Sequence, residues 1–129
     1  MELLKYTYRH PVTGKQVYEE KVWQDRTELF AVITLHSFND APAIVFENGD
    51  SRWYKDGLHH RDGDKPAVIE PGWKMWWVVD GKLHRLSGPA IDRPYRRVDY
   101  YINGEQYGKE EWEKHPDVVA YRLKQYSLK

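Results

Sequence analysis

The stretch from Asp56 to Ile69, DGLHHRDGDKPAVI, is rich in the residue types that carry chemistry, with two neighbouring histidines, one arginine and three aspartates. Such a cluster could form a metal site or a catalytic loop. A metal site needs three or four ligands that converge on one point. Neighbouring side chains on a strand point to opposite faces, so His59 and His60 cannot both serve such a site if this stretch is a strand. The surrounding elements therefore decide what the cluster does.

Three sequence features recur with one spacing, which indicates an internal repeat. They are a turn glycine, a Pro-Ala pair and a large aromatic, each recurring after 24 and then 23 residues: Gly57, Gly81 and Gly104; Pro42, Pro66 and Pro89; Trp53, Trp77 and Tyr100. We interpret residues 40–107 as three imperfect copies of a unit of about 23 residues.

Each unit is predicted to be antiparallel β-structure. The Asp-Gly and Asn-Gly pairs favour two-residue hairpin turns, because both central residues of such a turn need positive φ. A second set of turn signals lies between these pairs, at Asn48-Gly49, Pro71-Gly72 and Arg93-Pro94. The prediction is an antiparallel β-meander of three hairpin repeats.

Aligning the copies predicts the core. The matching apolar and aromatic rows should form the core face: Ile44, Val68 and Ile91; Trp53, Trp77 and Tyr100. The neighbouring rows should point to the other face, because side chains alternate along a strand. That second face is mixed, and we expect it to be partly covered or partly wet: Val45, Ile69 and Asp92; Tyr54, Val78 and Tyr101.

The same alignment gives the histidines a structural role. Leu58-His59 and Leu83-His84 follow equivalent turns, and a residue type that recurs with the repeat most simply serves the repeat. We expect the imidazole to bond a backbone carbonyl of a neighbouring turn, since buried polar groups are generally paired. The opening stretch is then scaffold, and no metal or other cofactor is expected.

The N-terminal part departs from the repeat. Residues 4–23 are predicted to be a hairpin that turns at 12–14. The following stretch, residues 24–38, is predicted to be a short helix capped by Asp25 or Thr27. A strand is the competing prediction, because Val32, Ile33 and Thr34 are β-branched.

The C-terminal part is predicted to be helical. Glu110 and Glu111 lie early and Lys124 late, which suits the helix dipole. Pro116 should begin a second helix. One apolar stripe is predicted to face the sheet and cap it: Trp112, Val119, Leu123 and Tyr126.

The composition limits the classes of protein to which this chain can belong. The chain has 129 residues, and its 20 basic and 20 acidic side chains leave no net charge to favour nucleic acid or an anionic membrane. Cysteine is absent, which excludes disulfides and thiolate metal sites. We predict a mainly β (α+β) single domain, 1–129, made of an N-terminal hairpin and helix (1–39), a repeat sheet (40–107) and a helical cap (108–129). With no leader or membrane span expected, it should be cytoplasmic.

The repeat unit also carries a resemblance. Its copies WYKDGLHHRDGDKPAVI and WVVDGKLHRLSGPAI resemble MORN-like hairpin repeats, and more closely the "LHR-x-DGPA" repeat proteins of tailed bacteriophages and large DNA viruses. NGEQYGKEEWEKHP is similar to the end of such arrays, so the resemblance covers residues 36–115. The Gly-x-Gly pair of MORN repeats is missing, and membrane-lipid binding is therefore not implied. The resemblance implies a non-catalytic β-repeat protein, such as a phage-type inhibitor of a host factor in the host cytoplasm.

The residues themselves favour binding over catalysis. The chain has no Gly-rich phosphate loop, nucleophile elbow or zincin helix. Tyr, Trp and Arg are enriched at interface hot spots. The predicted partner-binding residues are aromatics of the second face and the arginines near them: Tyr54, Trp76, Tyr101, Arg85, Arg93, Arg96 and Arg97. The predicted partner is a protein, with a homodimer left open.

Two alternatives remain at this point. The turn from Arg93 to Arg97, beside Tyr100 and Tyr101, could hold single-stranded nucleic acid through phosphate contacts and stacking. The zero net charge favours a solvated turn instead. The other alternative is a small-molecule sponge, in which aromatics stack on a nucleotide.

Overall fold

The structure is a computed structural model that describes residues 3–9, 16–20, 34–95 and 97–127, with backbone only at 3–6 and 16–20. The predicted turn at 12–14, the predicted helix over 25–33 and Arg96 lie outside the described residues.

The described residues are mainly β-structure with antiparallel pairing, followed by two short helices. In chain order the elements are β1 (Leu3–Arg9), β2 (Gln16–Glu20), β3 (Thr34–Leu35), β4 (Ile44–Phe46), β5 (Ser51–Arg52), β6 (Tyr54–Lys55), β7 (Leu58–His59), β8 (Val68–Glu70), β9 (Lys74–Trp76), β10 (Val78–Val79), β11 (Lys82–Leu83), β12 (Ile91–Arg93), β13 (Arg97–Ile102), β14 (Glu105–Tyr107), α1 (Lys109–Lys114) and α2 (Pro116–Ser127).

Ten of these strands form one sheet in the order β14-β13-β12-β9-β8-β5-β4-β1-β2, with β3 also on β1. The pairing of β1 with β2 confirms the two strands of the predicted N-terminal hairpin. The helix predicted for residues 24–38 is wrong at its end, because Thr34 and Leu35 are a strand paired with β1. An available strand partner outweighs the weak helical preference of a β-branched residue.

The Asp-Gly hairpins do not continue this sheet. β6 and β7 form a separate two-stranded sheet, and β10 and β11 form another. The strand path breaks at Trp53 and Trp77, each of which separates a sheet strand from a hairpin strand. The turns themselves are as predicted, since Asp56 and Gly57 both have positive φ, 48° and 83°.

The same contacts recur between successive segments. The turn glycine donates its N–H to a carbonyl in the preceding segment at 2.8 Å in each of three places: Gly57 to Leu35, Gly81 to His59 and Gly104 to Leu83. The indole N–H of Trp53 donates to the carbonyl of Asp40 at 3.0 Å, and that of Trp77 to Asp64 at 3.2 Å. Adjacent segments are therefore joined by one repeated set of bonds.

The core agrees in part with the predicted rows. Trp53, Trp77, Val68 and Ile91 are buried, whereas Ile44 and Tyr100 are half-buried. Three alanines of the Pro-Ala pairs, which the rows omitted, are fully buried: Ala43, Ala67 and Ala90. Each alanine N–H bonds a carbonyl of the neighbouring strand at 2.8 or 2.9 Å. The second face was expected to be partly covered or partly wet, and at Val78 it is covered: this residue packs against Trp53 and is only 4% exposed.

The helices close the C-terminal end of the sheet. Trp112 of α1 and Val118 of α2 form a buried cluster with Ile102. The indole N–H of Trp112 donates to the carbonyl of Arg85 at 3.1 Å, and its ring lies 4.8 Å from that of Tyr100.

Part of the predicted apolar stripe is not the packed face. Val119, Leu123 and Tyr126 are 42%, 66% and 80% exposed, whereas the neighbouring Val118 is buried. Pro116 does begin α2, as predicted. The break at Pro116 rotates α2 relative to α1, so the two helices do not share one continuous stripe.

Candidate functional site

The histidines form a column of links between segments. Nδ1 accepts the first backbone N–H of the next hairpin turn at 3.0, 2.9 and 3.0 Å: His36 from Asp56, His60 from Asp80 and His84 from Asn103. The residue equivalent to His84 is thus His60, and the prediction of His59 was wrong by one position. The expected carbonyl partner was also wrong, since the ring accepts a hydrogen bond from a backbone N–H.

These bonds fix the protonation of the rings. An Nδ1 that accepts a hydrogen bond carries no proton, so each ring is the neutral Nε2–H form. Burial lowers the pKa of both His36 and His84, which favours the same neutral form. The column therefore links successive segments through neutral rings. Among the described residues no group of three or more His, Asp or Glu is placed to hold a metal ion.

His59 has a different environment. Its ring lies 4.4 Å from that of Tyr54, its partner across the β6–β7 hairpin. Burial lowers the pKa of His59 and raises the pKa of Tyr54.

Two arginines make a second column. The guanidinium of Arg61 lies 3.8 Å from the centre of the Trp53 ring, and that of Arg85 lies 3.8 Å from Trp77. Arg61 donates to the Asp40 carboxylate at 2.9 Å, and Arg85 donates to Asp64 at 3.1 Å.

Both arginines also donate to the carbonyl of the following Pro-Ala proline. The hydrogen bond from Arg61 holds the pKa of Asp40 well below its ordinary value. Arg85, predicted to bind a partner, therefore has its Nε and NH1 donors engaged within the scaffold.

The predicted aromatics do not share one element. Tyr54, Trp76 and Tyr101 lie on β6, β9 and β13, and each is half-buried. Trp76 packs against the cluster of Trp53, Ala67 and Val78. Much of the surface of these aromatics is thus already used by the fold.

The most exposed aromatics lie elsewhere, where the ten-stranded sheet ends in a row of turns. Glu70 faces Lys74 across the β8–β9 turn, and Asp92 faces Met75 across β9 and β12. The β8–β9 and β12–β13 turns are therefore neighbours at one end of the sheet. Trp73 in the first is 68% exposed and Tyr95 in the second is 93% exposed. We call this end of the sheet, with Trp73, Tyr95 and Arg97, the turn edge.

The backbone at Tyr95 is strained. Its φ is 63°, in the left-handed region that bulky side chains rarely adopt. Asn, Asp and Gly hold most of the other positive-φ positions of the described chain. Because the Tyr95 side chain is almost fully exposed, core packing does not compensate for this strain.

Charges near the turn edge are mostly paired. Arg93 pairs with Asp99, and Arg52 and Lys74 both reach Glu70, at 3.0 and 3.6 Å. The arginine cluster predicted from sequence is thus reduced, in the described residues, to Arg97, which is exposed and has no carboxylate partner among them.

Sequence reasoning missed Trp73 and Tyr95, although a signal was present. Each follows a turn-forming residue, Gly72 or Pro94, outside the aromatic rows of the repeat. An aromatic at the tip of a hairpin turn has little chance of burial, because loops run over the surface.

No protein-family model, curated protein or solved structure matches this chain.

Proposed function

We propose that this chain is a non-catalytic binding protein that acts by contact with another protein at the turn edge. The observation that carries the proposal is the pair of exposed aromatics, Trp73 and Tyr95, on neighbouring turns. Tyr, Trp and Arg are the residue types most often found at the energetic centre of protein interfaces. Arg97 lies at the end of the same turn as Tyr95, with its charge open to solvent.

The strain at Tyr95 supports the same proposal. A bulky residue at positive φ costs free energy that Gly or Asn at the same position would largely avoid. Strain of this kind concentrates at functional sites, where something other than stability retains the residue. Contact with a partner explains both the exposed ring and the unfavourable backbone.

A protein partner is favoured over nucleic acid. Three of the four described cations near this end of the sheet are ion-paired: Arg52, Lys74 and Arg93. Glu47 is an exposed acid at the first turn of the same end. A strand of nucleic acid requires a continuous positive track for its phosphates, and mixed charge suits a protein surface instead.

We further propose that the scaffold is an array of three hairpin repeats of about 23 residues with a helical cap. The recurring glycine, histidine, arginine and tryptophan contacts support this interpretation. The resemblance to MORN-like and phage "LHR-x-DGPA" proteins then suggests a phage-type inhibitor of a host factor, acting in the host cytoplasm. Within the described residues, no helix is long and apolar enough to cross a membrane.

The proposal can be tested by crosslinking at the turn edge. A photoreactive phenylalanine analogue at Tyr95 should capture one protein from host lysate, before and after nuclease treatment. Trp73→Ala combined with Arg97→Glu should abolish that capture, because truncating hot-spot residues often costs 2 kcal/mol or more each, roughly thirtyfold in affinity.

The matched control uses exposed apolar residues of α2. Val119→Ala with Leu123→Ala removes similar apolar surface away from the turn edge and should leave the capture unchanged. A photoproduct that survives the turn-edge substitutions, or that disappears with nuclease, would refute the proposal.

A further inference from the structure

Two grooves repeat along the side of the molecule that carries the Asp-Gly hairpins. The first is bounded by Trp53, Tyr54 and the loop from His60 to Lys65, and its volume is about 510 Å³. The second has a volume of about 190 Å³. Its walls are the residues 24 positions later: Trp77 for Trp53, Val78 for Tyr54, His84 for His60 and Arg85 for Arg61. The two grooves are copies of one surface.

An aromatic side chain of the protein itself borders the second groove. Tyr121 of α2 lies in its wall, and α2 is held there by the buried Val118. No described residue takes the corresponding place in the first groove. An aromatic ring therefore borders this surface in one copy, and the matching position of the other copy is open among the described residues.

Arg9 gives the first groove unused hydrogen-bond donors. Its NH2 lies 3.1 Å from Nε2 of His36. That nitrogen carries the ring proton, because Nδ1 of the neutral ring accepts the N–H of Asp56, so it cannot accept a bond from Arg9. Among the described residues the buried Arg9 Nε has no hydrogen-bond partner, and its NH1 has one carboxylate, Asp56, at 3.4 Å.

The remaining charges favour an anion. Arg61 and Lys65 both bind Asp40, so these cations are already compensated. Lys55, an exposed wall residue, has no carboxylate partner among the described residues. Asp62 is a second carboxylate of the wall and bonds the His60 ring, so the lining carries four cations against two carboxylates. Arg9 and Lys55 thus offer positive charge beside an aromatic wall. The second groove has Val79 where the first has Lys55.

We propose that the first groove binds an acidic peptide segment of a partner protein, with an aromatic side chain against Trp53 and Tyr54 and a carboxylate on Arg9 and Lys55. A carboxylate supplies the acceptor that His36 cannot supply to the guanidinium. The ring takes the place that corresponds to Tyr121 at the border of the second groove. This site is distinct from the turn edge and does not depend on it.

NMR titration with capped tripeptides tests the proposal. Glu-Tyr-Glu should shift the indole N–H of Trp53 and the Nε–H of Arg61. It should leave the signals of Trp77 and Arg85 in place, because that groove is smaller and has Val79 where the first has Lys55. Lys-Tyr-Lys should bind more weakly because of its charge, and Glu-Ala-Glu because it lacks the ring.

Substitution adds a second measurement. Arg9→Gln should weaken Glu-Tyr-Glu about tenfold, since hydrogen bonds to charged groups contribute more than neutral ones. Lys124→Gln, an exposed lysine of α2, should leave binding unchanged and serves as the matched control.

The proposal fails if Glu-Tyr-Glu leaves Trp53 and Arg61 unshifted, or if Arg9→Gln binds the peptide as well as the wild type. Adenosine monophosphate that gives the same shifts at equal or lower concentration would make the groove a nucleotide site and overturn the peptide assignment. The turn-edge variant Trp73→Ala should bind Glu-Tyr-Glu normally, so the two proposals can fail separately.

Discussion

Arginines in two regions of this molecule differ in their contacts and in their exposure to solvent. Arg61 and Arg85 recur with the repeat, and each stacks on a tryptophan while it bonds an aspartate and a proline carbonyl. Arg97 lies in a turn where the other copies have no arginine, and it is open to solvent. The arginines that recur along the chain thus hold adjacent segments together, whereas Arg97, which does not recur, is available for other contacts.

The tryptophans also fall into a buried group and an exposed group, and their substitution gives the largest expected effect on stability. Trp77→Ala should lower the free energy of unfolding by about 3–5 kcal/mol, as large-to-small changes in a core do. Trp73→Ala should change it by less than about 0.5 kcal/mol, because exposed substitutions rarely cost more. Urea denaturation of both variants measures the difference. Equal losses would remove the distinction between scaffold and turn edge.

Arg85→Ala should have the next largest effect. It removes the stack on Trp77 and leaves the Asp64 carboxylate without its guanidinium, at a cost of about 2 kcal/mol. Arg97→Ala is the matched control and should cost less than about 0.5 kcal/mol. Thermal unfolding followed by tryptophan fluorescence compares the two, and an Arg97→Ala variant as unstable as Arg85→Ala would contradict the comparison.

Acid should weaken the histidine column. Burial lowers the folded-state pKa of His84 below its ordinary 6.5, so the unfolded chain binds the proton more readily. The contribution of the neutral His84 ring to the free energy of unfolding is therefore fully present above about pH 6.5. It declines as the pH falls toward the lowered folded-state pKa. Near the ring, Asp117 of α2 raises the pKa and limits the shift.

His84→Gln provides the check on that prediction. It should lose the hydrogen bond from Asn103, at about 1 kcal/mol near pH 7.5, and the difference from the wild type should shrink at pH 5. Unfolding free energies at the two pH values measure this. A difference that does not change with pH would show that the ring does not contribute through its neutral form.

The smallest expected effect on the free energy of unfolding is an increase. Tyr95→Asn should raise the free energy of unfolding by about 0.5–1 kcal/mol, because Asn tolerates the left-handed region better than an aromatic residue. The same variant should bind the partner less well, which would place Tyr95 among residues kept for function at the expense of stability. A destabilised Tyr95→Asn would mean that the ring contributes to folding.

The period and the hairpin turns could be predicted from sequence because their signals are local. Asp-Gly at 56–57 specifies its own φ values whatever surrounds it. The alignment of His59 with His84 failed because it matched the Leu-His pair and not the distance from the turn glycine: His84 lies three residues after Gly81, and His60 lies three after Gly57. The hydrogen bond that gives this position its role comes from the N–H of Asp80, which lies 20 residues away from His60 along the chain.

Other features depended on contacts that no local pattern displays. Ala67 is as buried as any residue described, yet a small side chain gives no strong hydrophobic signal. The rotation of α2 that exposes Leu123 follows from the docking of Trp112 and Val118. The turn edge was missed because arginines were weighed above Trp73 and Tyr95, and the Asp99 that pairs with Arg93 lies on the neighbouring strand.

The loop that ends at Pro89 ends the column of arginine–aspartate pairs. It is one residue shorter than the loop that ends at Pro66, and Gly88 lies so close to the Arg85 guanidinium that an added Cβ would be 3.2 Å from its NH1. Ser87 stands at the position where Asp40 and Asp64 receive Arg61 and Arg85, and Gly108 stands where the next arginine would be. Acceptor and cation are thus lost together, so the column ends without leaving either charge unpaired.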